Sequence, residues 1–388
     1  MRTMTRLIYL DHNATTACAP QVVEAMLPYF SESYGNPANG LHVLGRQAAR
    51  AVDEARHQVA DLIGAGAGEI VFTSGATESN NLAILGLARA LKALGRHRIV
   101  TSVIEHRAVL GPCETLEKEG FEIVYLPVDV DGVVSLDAAS QVINQQTLLV
   151  SIQAANNETG VIQPVAKIAE LSHQYGALVH CDAAQALGKL HVAVEDWGVD
   201  LLSLSGHKFY GPKGVGALYV RKSVKRLGLQ PLVYGGGQEN GLRPGTLNVP
   251  GIVGLGEAAH LADKMLDEDV ERMTRLRDAF EHTLMQDIVG LRINGGRVSR
   301  LPNTSSLIFP DVDADALLLN MPELLLGTGS ACHSGAIEPS HVLTAMGLSR
   351  REAHQVVRMS LGRFTQADDM IKAAAEMVKV WRALVRLN

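Results

Sequence analysis

Residues 178–211 read LVHCDAAQALGKLHVAVEDWGVDLLSLSGHKFYG. Two apolar runs stand out, 178–181 and 201–204. Each has the length of a buried strand and is too short for a helix. Each ends abruptly on polar residues: Asp182 and Gln185 after the first, Ser205, Gly206, His207 and Lys208 after the second. The same kind of run recurs on both sides, at 69–73, 98–103, 122–126, 148–153 and 215–220. Helical patterns lie between them at roughly 77–94, 108–119, 136–144 and 165–175. This alternation predicts βαβ units and an α/β fold, with a mainly parallel sheet covered on both faces. A short Gly/Pro turn joins the last two runs, which predicts an antiparallel hairpin at the end of the sheet.

The pattern changes near residue 254. Apolar residues at helical spacing run from 256 to about 284. Strand candidates follow at 305–309, 324–326 and 356–361, and an amphipathic helix at 367–387 closes the chain. Two domains are therefore expected: a large one over 15–255 and a smaller α+β domain over 256–388, with residues 1–14 packing on the latter. The length of 388 residues suits that division.

Composition narrows the function. Hydrophobic residues make up 47% and charged residues 20%, enough for a substantial core in an ordinary globular protein. A net charge of −6 and the lack of a basic tract argue against direct nucleic-acid binding. No secretory signal and no membrane-length apolar run are found, so a cytoplasmic location is expected. The four cysteines, Cys18, Cys113, Cys181 and Cys332, are far apart and form no Cys-x-x-Cys pair. That argues against a disulfide framework or a zinc knuckle. The histidines show no metal-ligand spacing.

In open α/β sheets, ligands bind outside the carboxyl ends of the strands. Five runs place polar groups there. Ser74-Gly75-Ala76-Thr77 follows the first and opens a helix, where it could hold a phosphate or simply cap the helix. Glu105-His106 follows the second, and Asn156 to Gly160 the fourth. Asp182 could cap the next helix or pair with a protonated pyridine nitrogen. Lys208 offers an amine suited to a Schiff base, with Lys213 as its competitor in the next turn. The signature glycine patterns of P-loop and dinucleotide-binding folds are missing.

These residues belong to a longer series of motifs. Tyr9 to Thr16, Gly35-Asn36-Pro37, Phe72 to Asn80, Asn156 to Gly160, His180 to Gln185, Ser205 to Gly211, Arg243 to Thr246, Gly329 to Cys332 and Arg358 to Phe364 occur in the order found in the cysteine desulfurases. Those enzymes are pyridoxal-phosphate enzymes of fold type I, in the class V aminotransferase group. The chain resembles them from Tyr9 to Thr365. The resemblance implies pyridoxal 5'-phosphate held on Lys208, with Asp182 on the ring nitrogen and Gln185 on the ring hydroxyl. His106 would stack on the ring and shuttle protons. Gly75, Ala76, Thr77, Ser205 and His207 would bind the phosphate, and Thr246 would reach the phosphate of the other subunit of a homodimer. Asn157, Arg358 and Asn36 would hold the substrate carboxylate. Cys332, in a Gly/Ser-rich stretch that suits a mobile loop, would be the nucleophile, with His333 beside it in sequence.

The implied activity removes sulfur from L-cysteine. It yields L-alanine and a persulfide on Cys332 for a protein acceptor, in iron–sulfur cluster assembly or thiolation. Several of the same motifs, among them Cys332-His333-Ser334, also resemble selenocysteine lyases, so release of selenium from selenocysteine stays open. So do a non-catalytic docking or sulfur-carrier role and a related aminotransferase or decarboxylase. The last two need no cysteine at position 332.

Overall fold

A computed structural model describes residues 7–328 and 339–386. Its strands are β1 (Ile8–Tyr9), β2 (Ile70–Thr73), β3 (Arg98–Ser102), β4 (Glu122–Leu126), β5 (Thr147–Gln153), β6 (Leu178–Asp182), β7 (Leu201–Ser205), β8 (Gly216–Val220), β9 (Arg292–Ile293), β10 (Thr304–Ile308), β11 (Leu324–Leu325), β12 (Gly327–Thr328) and β13 (Val356–Ser360). The helices that matter for the site are α1 (Val43–Leu62), α2 (Ala76–Asn81), α3 (Arg107–Lys118), α4 (Val165–Gln174), α5 (Val249–Asp287), α6 (His341–Ala345) and α7 (Ala367–Val385).

Seven strands form the main sheet in the order β2-β8-β7-β6-β5-β3-β4. Strands β7, β6, β5, β3 and β4 run parallel. Strand β8 is antiparallel to both of its neighbours, β7 and β2. The fold is thus α/β with a mainly parallel sheet. The expected hairpin exists, but it does not end the sheet, because β2 pairs outside β8. Every residue of β2, β5, β7 and β8 is buried, as a sheet covered on both faces requires. Several buried polar residues within it are paired. The His180 ring bridges Ser151 Oγ (2.8 Å) and Ser203 Oγ (2.9 Å), and burial pushes it down to about 4, so it stays neutral.

Helix α5 is longer than its apolar spacing indicated. It starts at Val249, where Asn248 caps it by accepting the Gly251 N–H and Pro250 lies in the first turn. Its first turns pack in one core with α1. A Cβ on Gly256 would lie 2.6 Å from Ala55 Cα, so only glycine allows this crossing. Helix α1 escaped the sequence reading because alanines (Ala48, Ala55, Ala60) form much of its buried face. The expected helix over 77–94 is a composite: α2 passes through a π turn at Leu82–Gly86 into Leu87–Leu91 and a 3-10 turn at Lys92–Leu94.

The far half of α5 belongs to a second core with β10, β13 and α7, which also takes in Ile8 and Leu10. There β12, β13, β10 and β9 form an antiparallel sheet, and β1 pairs with β11. Among the described residues, no helix is long and apolar enough to cross a membrane.

Candidate active site

The carboxyl ends of the parallel strands open into a cavity of about 540 Å³, the size of a cofactor or small-molecule pocket. At the end of β6, the buried Asp182 accepts from Asn80 Nδ2 (2.7 Å) and from the Ala184 N–H (3.0 Å). The helix that Asp182 could cap does not form, since residues 184–189 make turns; one oxygen closes that turn, while the side chain lines the cavity. Three residues on, Gln185 Nε2 donates to Asn13 O (2.9 Å).

At the end of β7, a 3-10 turn over Gly206–Lys208 brings Lys208 to the cavity wall. Its Nζ donates to Asn13 O (2.6 Å) and Ala14 O (2.9 Å). The segment 13–16 is tied to the same turn, since Thr16 N–H donates to His207 O (2.9 Å) and His207 Nδ1 pairs with Thr15 Oγ1 (3.1 Å). Burial and then the Lys208 charge push the His207 ring down to about 4, so it is neutral. Lys213, read as a turn residue, is exposed but also reaches the mouth of the cavity.

At the end of β2, Gly75 adopts φ +151°, ψ 178°, open essentially to glycine alone. A Cβ on Gly216 would lie 2.7 Å from Gly75 Cα, so two glycines let this turn press against β8. Among the described residues no side chain caps α2, and the Ser74 N–H goes instead to Glu78 Oε2 (2.8 Å). The simple N-cap considered for Ser74 or Thr77 is thus not made. The first-turn N–H groups, which no helical carbonyl can receive, face the cavity beside Ser205, His207 and Thr77.

After β3, His106 caps α3 by accepting the Ala108 N–H at Nδ1 (3.1 Å) and lines the cavity. Glu105 points away into the protein. It accepts from Ser102 Oγ (2.6 Å), and burial raises it to about 8, so it holds its proton near neutral pH. After β5 comes Asn157, also a wall residue. The opposite wall is Arg358 on β13, which donates to Asp11 Oδ1 (2.6 Å) and Asn157 O (3.1 Å), while its buried Nε has no partner among the described residues.

The structure brings together Lys208, Asp182, Gln185, Gly75, Ala76, Thr77, Ser205, His207, His106, Asn157 and Arg358. It does not bring in Asn36 or Thr246. Both are exposed and away from the cavity, and Asn36 Oδ1 accepts the Ala38 N–H (3.0 Å). Cys332 and His333 lie outside the described residues. Of the other cysteines, Cys113 and Cys181 are buried and burial pushes their thiols up, Cys113 to about 12. That makes them poor nucleophiles.

Sequence reasoning missed Asn80, which orients Asp182, and the Asn13 carbonyl, which receives both Gln185 and Lys208. Asn80, an amide four residues from Ala76 on an otherwise inward helical face, was a signal that could have been read. A backbone carbonyl has none.

A family model described as aminotransferase class-V matches residues 8–372. The chain is 47% identical over 369 residues to a cysteine desulfurase IscS of Dictyoglomus turgidum, covering 95% of this chain and 92% of that protein. It is 46% identical to a cysteine desulfurase IscS of Anaeromyxobacter dehalogenans, over 97% and 94% of the two chains. A solved NifS-like protein superposes with a TM-score of 0.90 at 39% identity, covering 97% of this chain and all of the other.

Proposed function

This chain belongs to the class V aminotransferase family and is a pyridoxal-phosphate-dependent cysteine desulfurase of fold type I, and on that footing we propose which of its residues do the chemistry. Its substrate is L-cysteine and its sulfur passes to an acceptor protein. One observation carries the assignment of roles. A lysine, a buried carboxylate and an uncapped helix start converge on one cavity.

The residues present fit the cofactor. Gly75 lines the cavity without a side chain, Gly216 lets its turn pack against β8, and the uncapped turn of α2 offers N–H donors to a phosphate. Thr77, Ser205 and His207 would complete that phosphate site. When His207 Nδ1 accepts from the Thr15 hydroxyl, Nε2 carries the ring proton and can donate to an anion. Asp182 would hold the proton on the ring nitrogen, Gln185 would donate to the ring oxygen, and His106 would cover the ring face. When bound, the cofactor supplies an aldehyde for amines and a ring that accepts electrons from the substrate α-carbon.

Lys208 would hold the cofactor at rest and, once released, move a proton at the substrate α-carbon, aided by His106. Arg358 and Asn157 would hold the substrate carboxylate. Cys332, as thiolate, would take the sulfur: the substrate C–S bond breaks, an S–S bond forms on Cys332, and the carbon ends as the methyl of alanine. Thr246 would reach the phosphate of the second subunit of a homodimer. The acceptor would be a protein of cytoplasmic iron–sulfur cluster assembly or thiolation.

The decisive experiment is incubation of the holoenzyme with L-cysteine and mass analysis of the peptide that contains Cys332. The expected result is an added mass of one sulfur, with alanine released. Cysteine turnover unchanged in Cys332→Ala would overturn the assignment.

A further inference from the structure

Lys189 follows Gln185 by four residues and does not line the cavity. It is only 5% exposed. Gly188, at φ +69°, turns the chain so that the Lys189 side chain lies back under Gln185. Its Nζ donates to Gln185 Oε1 (2.9 Å) and more loosely to Gln185 O (3.3 Å). Among the described residues, no carboxylate lies within ion-pair distance of it. An ammonium buried without a counter-charge costs several kcal/mol. Burial, followed by the charges of Lys208 and Arg358, lowers Lys189 to about 7. A methionine of similar length would fill the space without that cost, so packing alone does not account for a lysine here.

What Lys189 does settle is the orientation of an amide. A glutamine side chain presents an acceptor at one end and two donors at the other, and packing barely distinguishes them. Protonated, Lys189 can only donate, and it then must face the oxygen. The NH2 end then turns to Asn13 O, with its second hydrogen left for the cavity. Asn13 O also receives Lys208 Nζ at 2.6 Å. A single chain of hydrogen bonds therefore runs from Lys189 through Gln185 to the carbonyl that seats Lys208.

We propose that Lys189 is a positioning residue that locks the Gln185 amide with its donor end towards the cofactor ring oxygen and the Lys208 seat. This rests on the reading that Gln185 faces the cofactor, and the experiment separates the two. Holoenzyme carrying Lys189→Met, Gln185→Leu or both is compared with the parent. The readouts are the visible absorption band of the bound cofactor, the rate at which cofactor is lost on dialysis, and the melting temperature.

Lys189→Met is expected to shift the band and speed cofactor loss about five- to tenfold, the effect of one misplaced hydrogen bond. Its melting temperature should hold or rise. Added to Gln185→Leu, it should change neither the band nor the loss rate further. An equal shift in both backgrounds would overturn the proposal, as would an unchanged band in Lys189→Met alone while Gln185→Leu moves it. If Gln185→Leu itself moves nothing, the Gln185 reading fails and the proposal falls with it. Should the methionine variant not fold, Lys189→Gln, too short to hold Gln185 Oε1 at the same distance, makes the same comparison.

Discussion

Two surfaces meet across the cavity, and they are built differently. The rim of the main sheet supplies Thr77, His106, Asp182, Gln185, Ser205, His207 and Lys208, each within a few residues of a strand end. The facing wall, from the antiparallel sheet, contributes Arg358 from the interior of β13. The rim is set by local geometry, because a strand that ends at the sheet edge delivers its next residues to the crevice. The wall is set by distant partners: Arg358 is held by Asp11, 347 residues away, and by the carbonyl of Asn157. On the roles proposed above, the rim would hold the cofactor and the wall the substrate carboxylate. Substitutions on the two sides should separate along that line.

The largest effect belongs to the rim. Lys208→Ala is expected to lower cysteine turnover by about 10³-fold or more, since on the proposed roles it removes both the seat of the cofactor and a proton carrier. Alanine formation measures the loss. An exogenous primary amine should restore part of it, which a collapsed site would not allow. Asp182→Asn, nearly isosteric, is expected to lower kcat by about 10²- to 10³-fold with little change in KM. The absorption of the bound cofactor should change with it. A rise in KM alone would place Asp182 in substrate binding and erase the contrast between the two surfaces.

The wall should respond in KM. Arg358→Lys keeps the charge and loses the planar fork. A tenfold to hundredfold rise in KM for cysteine is expected, the loss of one charge-assisted hydrogen bond, with kcat reduced much less. If kcat falls as far as it does in Asp182→Asn, Arg358 is not confined to holding substrate.

The same contrast explains what the sequence revealed. The rim was readable because apolar runs such as 201–204 end at a definite residue, and the polar groups beyond them fall in register. Arg358 sits mid-strand among Val356, Val357 and Met359, where alternation gives no reason to single it out. It was found through the family resemblance alone. Helix α1 was missed because alanines carry little hydrophobic signal. Lys189 looked like any lysine after a glycine, since nothing in its local sequence shows that it is buried. The outer position of β2 was also unreadable, because strand order is set by packing between helices far apart in sequence.

One contact bridges rim and wall outside the cavity, and it carries the smallest expected effect. Ser340 Oγ, at the start of α6, donates to Oε2 of the buried Glu158 (2.6 Å), just past β5. Burial raises the Glu158 carboxyl from 4.5 to about 7, with Ser340 and Arg358 pulling the other way. As pH rises from about 4.5 to 7, this group ionises in the unfolded chain while the folded one keeps its proton. Glu158 therefore makes stability fall over that window and adds no further slope above it. Glu158→Gln keeps an acceptor for Ser340 and removes the titration. Relative to the parent, the variant should gain about 2–3 kcal/mol of stability between pH 4.5 and 8. Denaturant melts at four or five pH values would measure it. Parallel profiles would mean that Glu158 is already ionised in the folded protein, with the Arg358 charge outweighing burial, and that the two surfaces are joined by charge as well as by one hydrogen bond.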